Sequence, residues 1–177
     1  MTTVLAFAGS NSSSSINYQL VKYTTSLIRE HKIQLLNMAH LPFPMYSYDH
    51  EKEKGFSNSL VELKDDMQKA VGLVISVNEH NSNPSAFFKN LIDWLSRLDR
   101  KFLLDKVILL MSTSGGKRGG ISALEIVGKT LPRFGAKEII SFSLPSFQEN
   151  FSSAEGITDN ALAAEHQEKL REFLSKI

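Results

Sequence analysis

Seven consecutive positions, Gly9-Ser10-Asn11-Ser12-Ser13-Ser14-Ser15, hold one glycine, one asparagine and five serines. Hydroxyls at that density supply hydrogen-bond donors without bulk, and the chemistry they suit is holding an anion. Before the run stands an apolar stretch of strand length, Thr2–Ala8. After it a helical pattern begins at Ile16, with Leu20, Thr24, Leu27 and Ile28 spaced to share one face. The first N–H groups of a helix lack intrahelical partners and carry the positive end of its dipole, so this strand–loop–helix join favours phosphate. The plain alternative is a Ser or Asn N-cap on an ordinary connection. The loop is no Walker A motif, because no Gly-Lys-Ser/Thr follows, and no GxGxxG fingerprint, because Gly9 is its one glycine. No Lys or Arg lies between Met1 and Val21, so any phosphate here is held by neutral donors and the helix end.

Two further runs share this character, Asn78–Ser85 and Thr113–Gly120, the second with four glycines in six residues. Such a loop allows close backbone approach to something flat. Neither run, nor the first, holds a nucleophile–base pair, and there is no Gly-x-Ser-x-Gly elbow for a serine hydrolase. A mononucleotide site fits better, with the first loop for phosphate and the other two for a planar ring.

The elements that position these loops are legible from periodicity. Strands are expected at Thr2–Ala8, Ile33–Met38, Val71–Val77, Lys106–Ser112 and Glu138–Phe142, and the third and fourth are apolar throughout, as in the middle of a parallel sheet. Helices are expected from Ile16, from a Ser57 or Asn58 cap with Leu60, Leu63, Met67 and Ala70, and over Phe87–Leu98. Others run from Ile121 through Phe134 to about Gly135, and along the stripe Leu162, His166, Leu170, Phe173, Leu174 and Ile177. Pro42 and Pro44 exclude helix from 41–46, and the stretch through Gly55 reads as a long loop with a solvated tip at His50–Lys54. Its apolar residues (Leu41, Phe43, Met45, Tyr46, Tyr48) suit a ligand wall, a second subunit or packing on their own domain. Alternating strands and helices imply a parallel sheet covered on both faces, and five strands fit the order 2-1-3-4-5. All three polar loops then follow strand C-termini, where ligands bind in open α/β sheets.

Composition narrows the class. The 177 residues suit one domain, 1–177, and 42% hydrophobic and 22% charged residues are near globular averages. A net charge of +1 argues for no nucleic-acid partner. There is no cysteine, so no disulfide, thiolate metal site or dithiol chemistry, and the five histidines show no metal-ligand spacing; no metal is expected. The N-terminal apolar run is short for a signal or transmembrane segment, which leads to the expectation of a cytoplasmic protein with no membrane partner.

Three stretches together resemble a known family. Gly9, Ser10, Ser15 and Asn17 match the register of Gly-Ser-x-Arg-x-x-Ser-x-Asn, with Ser12 in the place of Arg. Lys89, Asn90, Ile92, Asp93 and Trp94 match Lys-Asn-x-Ile-Asp-Trp, the most specific signal. Glu79 and Asn81 match Pro-Glu-Tyr-Asn, with Asn78 and His80 replacing Pro and Tyr, and Ser112, Ser114, Gly115 or Gly116, Gly119 and Gly120 follow Ser-x-Ser-x-Gly-x-x-Gly-Gly. Over about residues 3–145 the chain resembles the flavodoxin-like NAD(P)H-dependent FMN reductases, which include quinone, chromate and azo-dye reductases. The resemblance implies a flavodoxin-like three-layer sandwich and bound FMN. Ser10, Ser12, Ser15, Ile16 and Asn17 would hold the phosphate, Asn78, Glu79, His80 and Asn81 would line the isoalloxazine, and Ser114, Gly115 and Gly116 would cover its other edge. NADPH or NADH would donate hydride to the flavin, which then reduces a quinone, free flavin or similar small acceptor. No catalytic side chain is needed, because the cofactor carries the chemistry. His80 either stacks on the ring or faces solvent, and Lys117 and Arg118 either attract the nicotinamide cofactor's phosphates or are solvated.

The family is commonly dimeric or a dimer of dimers, so a homodimer or homotetramer is expected. The interface candidates are the Trp94 helix, the 41–56 stretch and the 85–100 region, with packing inside one chain as the alternative. Two other readings stay open: a flavin-binding electron-transfer protein without a hydride-donor site, and a flavodoxin-fold interaction module that has lost FMN.

Overall fold

The computed structural model describes residues 1–41 and 43–177. Along the chain run β1 (Thr3–Ala8), α1 (Ile16–Ser26), β2 (Lys32–Leu36), α2 (Tyr48–Lys54), α3 (Asn58–Lys69) and β3 (Gly72–Val77). Then come β4 (Glu79–His80), β5 (Asn83–Pro84), α4 (Ala86–Leu98), β6 (Val107–Thr113), α5 (Ile121–Thr130) and β7 (Glu138–Leu144). The chain closes with α6 (Phe147–Asn150), β8 (Phe151–Ser152), β9 (Gly156–Ile157) and α7 (Asn160–Leu174). One parallel five-stranded sheet has the order β2-β1-β3-β6-β7, which is 2-1-3-4-5 counted over its own strands. The small pairs β4–β5 and β8–β9 lie outside it.

Strand alternation divides the core in two. In β1, Leu5 and Phe7 enter one cluster while Val4, Ala6 and Ala8 enter the other; in β6, Ile108 and Leu110 part in the same way from Val107, Leu109 and Met111. The first face is covered by α3, α4 and α5 through Leu60, Leu63, Leu91, Leu95, Leu124 and Val127. The second is covered by α1 and α7 through Leu20, Val21, Leu170 and Phe173. Burial on both faces explains why these strands read as unbroken apolar runs. Each fully buried Leu or Phe is worth about 1.5–3 kcal/mol.

Several boundaries depart from the sequence expectation. The stretch expected as loop through Gly55 contains α2, capped by Ser47 Oγ on the His50 N–H and closed by Gly55 at φ +67°. Its residues bury little on their own, and tertiary bonds hold it: Arg97 of α4 donates to Glu51 through Nε (2.8 Å) and Nη2 (3.1 Å), and Tyr46 donates to the same carboxylate at 2.8 Å. Glu51 is therefore no solvated tip. The reading that Pro42 excludes helix lies outside the described residues. β2 ends at Leu36, and Met38 belongs to a 3-10 turn over Met38–His40. Helix α5 stops at Thr130, where Pro132 converts Leu131–Phe134 to a 3-10 turn. Leu27, expected on the buried face of α1, is the C-cap and is exposed. Strand β7 ends at Leu144, two residues beyond the expected Phe142, and the polar stretch after it holds α6 and the β8–β9 pair.

Candidate functional site

At the C-terminal ends of β1, β3 and β6 the chain leaves a cavity of about 580 Å³. That lies within the range of small-molecule sites. It opens where strand order reverses between β1 and β3, as doubly wound sheets require. Its wall is built from the starts of α1 and α4 and from the three polar loops.

Hydrogen bonds between the loops explain the wall's shape. Ser15 caps α1, its Oγ accepting from the Tyr18 N–H at 3.1 Å, which leaves the Ile16 and Asn17 N–H groups without intrahelical acceptors. Ser10 Oγ accepts from the Ser12 N–H, and Ser12 Oγ accepts from the Ser14 N–H, each at 3.3 Å. Ser85 caps α4 by accepting from the Phe88 N–H and donates across to the Gly9 carbonyl at 2.9 Å. Gly9 also donates to the Ser76 carbonyl, and a Cβ there would lie 2.4 Å from the Phe88 ring, so only glycine lets the first loop close on α4.

Asn17, buried to 2% exposure, ties the floor together. Its Oδ1 accepts from Ser76 Oγ at 2.7 Å and from the Thr113 N–H at 3.1 Å, while its Nδ2 donates to the Thr113 carbonyl at 3.1 Å. The amide orientation is set by Thr113, whose N–H must donate and whose carbonyl must accept. Thus the side chain binds the start of α1 to β3 and β6.

Glu79 also works within the protein. Its Oε2 accepts from the Ala123 N–H at 3.0 Å and so caps α5, whose N-cap Gly120 has no side chain to do so. Gly120 sits at φ +77°, where a Cβ would press on Ser112 at 3.3 Å. The next residue, His80, is presented by the β4–β5 hairpin. Its turn residues Asn81 and Ser82 have φ of 52° and 61°, the two left-handed positions of a tight hairpin. His80 Nε2 lies 3.1 Å from Asn78 Nδ2, whereas Asn78 Oδ1 is buried without a partner. Rotating the amide would satisfy the oxygen and orphan the nitrogen, so one polar atom of Asn78 is left for a ligand either way.

Of the residues anticipated from sequence, Ser10, Ser12, Ser15, Ile16, Asn17, Asn78, Glu79, His80, Ser114 and Gly115 line the cavity. Asn81 and Gly116 lie outside the lining: Asn81 makes the hairpin turn, and the Gly116 N–H turns to Ser114 Oγ at 3.3 Å while its carbonyl accepts from the Ser146 N–H at 2.9 Å. Asn11, Ser14, Ser85 and Thr113 also line the cavity and fall within the three polar loops without being singled out, while Ala86 and Phe87 lie beyond them; Ser85, as an N-cap before an apolar run, carried a readable signal. Lys117 and Arg118 are exposed and off the wall, with Arg118 donating to Ser122 Oγ at 3.0 Å. Glu79 and His80 are the ionisable side chains of the described lining, which holds no Lys or Arg. Among the described residues no group of acidic, Cys and His side chains could hold a metal ion, and no helix is long and apolar enough to cross a membrane.

Asn90 and Trp94, the specific part of the motif, serve the cavity's flank. Asn90 Nδ2 (2.9 Å) and Trp94 Nε1 (2.8 Å) both donate to the Pro44 carbonyl, and Asn90 Oδ1 accepts from the Tyr46 N–H at 2.7 Å. Trp94 is buried, edge-on to Tyr46, His50 and Phe56. In this chain its indole is a clamp within the fold.

Comparisons with known proteins agree with this architecture. The chain is 38% identical over 77 residues to a quinone reductase of Escherichia coli strain K12, an alignment covering 44% of this chain and 41% of that protein; the match thus spans about two fifths of that relative's length. Among solved structures, the flavoenzyme NAD(P)H:(acceptor) oxidoreductase FerB of Paracoccus denitrificans superposes with TM-score 0.77 at 22% identity, covering 99% of this chain and 97% of that one. The apo form of an NADH:FMN oxidoreductase, EMOB, gives TM-score 0.79 at 20% identity, covering 100% and 91%. The sequence profile of the NADPH-dependent FMN reductases matches residues 2–148, so the chain belongs to this family of NAD(P)H-dependent flavin oxidoreductases.

Proposed function

We propose that this protein is an FMN-dependent NAD(P)H oxidoreductase that reduces quinones or similar small acceptors. The observation that carries the reading is the cavity itself. Two helix N-termini, a run of hydroxyls and an unpartnered Asn78 amide atom converge at the carboxyl edge of the sheet. The donors suit a mononucleotide: neutral hydroxyls and N–H groups at one end, a slot between Asn78–His80 and Ser114–Gly115 at the other.

In this reading Ser10, Ser12 and Ser15, with the backbone N–H groups of Ile16 and Asn17, take the phosphate. The loop of Asn78, Glu79 and His80 flanks the isoalloxazine, with Asn81 making the hairpin turn behind it, and the Ser114 and Gly115 backbone covers its far edge, with Gly116 bracing that loop from outside the lining. Bound FMN would supply hydride acceptance and donation. The chain's own groups bind, orient and offer donors where reduced flavin gathers negative charge. Without a fixed cation, each phosphate contact is worth about 1 kcal/mol, against about 1.5–3 for a charge-assisted one. A homodimer or homotetramer in the cytoplasm, where NAD(P)H is supplied, completes the proposal; light scattering on a sizing column tests the assembly.

The test is an absorbance titration with FMN followed by NADPH without oxygen. Saturable flavin uptake and bleaching are the expected result. Uptake without bleaching by either nicotinamide would make the protein an electron carrier, and no uptake at micromolar FMN would overturn the assignment.

A further inference from the structure

The described lining of the cavity holds no Lys or Arg, so a ligand that gains negative charge there meets no fixed cation. Its two ionisable side chains are differently engaged. Glu79 is committed to α5, its Oε2 accepting from the Ala123 N–H at 3.0 Å. His80 is exposed, and its Nε2 lies 3.1 Å from the Nδ2 of Asn78. In that arrangement Nδ2 donates to a neutral imidazole whose proton is on Nδ1, and Asn78 Oδ1 stays buried without a partner. A second arrangement answers it. An imidazolium donates from both nitrogens, so its Nε2–H opposes the Nδ2 donor and bonds only to the oxygen. The amide then turns over: Oδ1 gains the partner it lacks, and Nδ2 takes the place that Oδ1 held. With His80 neutral the pair leaves a ligand an acceptor; with His80 charged it offers a cation and a donor. The other charged groups around the hairpin are engaged elsewhere or exposed. Glu125 and Lys129 of α5, the helix packed on it, are exposed, as are Lys117 and Arg118, the latter bonded to Ser122. Lys89 of α4 is paired with Asp93 at 2.6 Å, and the first loop has no charged residue.

Resting on the flavin-reductase reading, we propose that Asn78 and His80 form a proton-responsive pair: His80 takes up a proton when the flavin ring is reduced, and the Asn78 amide turns with it. Hydride from NAD(P)H carries two electrons and one proton, and it leaves the ring with one negative charge. His80 Nε2 takes the second proton from solvent, and its exposure lets it carry charge without desolvation. Cation and donor then face a ring that has just become negative. When a quinone takes the hydride, His80 gives up its proton to complete the hydroquinone. Quinone, NAD(P)H and H⁺ thus become hydroquinone and NAD(P)⁺. The family motif has Tyr in the place of His80, and a phenol gains no proton near neutral pH, so the pair belongs to this chain.

The experiment is an NMR titration of the FMN-loaded protein between about pH 5 and 8, oxidised and then reduced with dithionite. It follows the His80 ring and the Asn78 side-chain amide, assigned by their loss in His80→Gln and Asn78→Ser. His80 should hold its proton about tenfold more tightly in the reduced protein, the effect of one opposite charge on an exposed group. Equal proton affinity in the two states overturns the proposal. In the flavin-free protein the Asn78 amide signals should move with the same midpoint as those of His80, and amide signals indifferent to it overturn the turning of the amide. Affinity gives a second readout. From pH 8 to about 6, reduced FMN should gain on oxidised FMN in binding about fivefold more in the parent than in His80→Gln. The titration of free flavin is common to both proteins and cancels. His80→Lys, with its charge fixed, should restore the preference for reduced FMN at pH 8, about tenfold over His80→Gln. The same pH dependence in the parent and in His80→Gln overturns the proton uptake. Parent protein that takes up FMN and bleaches with NADPH yet fails these tests overturns the pair alone. Parent protein that takes up no FMN overturns the reductase reading, and the pair with it.

Discussion

Three hydrogen bonds converge on the side chain of Asn17, and they connect the first loop to β3 and β6. Asn17→Ala would leave the Thr113 N–H and carbonyl unpaired in a buried place, and each such group costs about 1–3 kcal/mol. The variant should lose about 2–4 kcal/mol in urea denaturation, besides weakening FMN uptake. A drop in flavin affinity with unchanged stability would show that the amide serves the ligand and not the floor. His166 is the other residue whose environment sets a measurable property. It is fully buried, with Nε2 2.8 Å from Thr24 Oγ1, and that hydroxyl donates to the Leu20 carbonyl, so the imidazole N–H lies on Nε2 and Nδ1 has no partner. Burial pushes its pKa down to about 4 from 6.5. Between those values the unfolded chain binds a proton that the folded chain does not. Stability should therefore be complete above pH 6.5, fall as the pH drops towards 4, and level off below, a loss of about 3 kcal/mol in all. His166→Phe should flatten thermal melts across that window, and an unaltered slope would remove His166 as the cause.

At the scale of elements, helix starts do most of the work around the cavity. Ser15 and Ser85 cap α1 and α4 locally, as short-range signals should. The cap of α5 comes instead from Glu79, on a hairpin far away in sequence. Glu79→Ala should destabilise the protein by about 1 kcal/mol, and hydrogen exchange should show α5 opening first. Even protection across all helices would mean that the carboxylate acts elsewhere. This contact shows why part of the site was illegible in sequence. The family motif places Glu79 beside the flavin and says nothing of α5, because its bond there depends on the β4–β5 turn bringing residue 79 to residue 123. Likewise α2 has polar composition and no apolar stripe, so periodicity gave no helix; Arg97, 46 positions away, Tyr46 and the Trp94 cluster hold it.

For the molecule as a whole, the cavity is an open feature at the end of a rigid sheet. A ligand there should stabilise the folded state by mass action. FMN at a hundredfold excess over its Kd should contribute about 2.7 kcal/mol, read as a rise in Tm that grows with FMN concentration. A Tm indifferent to FMN would detach the cavity from flavin binding.

The sequence by itself determined the sheet, its order, the helices on both faces and the placement of three polar loops at one edge. These follow from periodicities of two and 3.6 residues and from apolar runs, which are local properties of the chain. It also marked the first loop as a candidate anion site, because a strand, a run of hydroxyls and a helix start are contiguous. Tertiary structure alone decided how side chains within those loops divide their work. Asn17 and Glu79 turned inward to bind strands and cap a helix, Asn78 kept an unpartnered polar atom at the cavity, and Phe43 was drawn to Phe87 by bonds from α4. Each outcome rests on hydrogen bonds or ring contacts between residues more than forty positions apart, or on a buried atom finding no partner at all. Only the folded chain settles such pairings, because they depend on which groups arrive together once the sheet has formed.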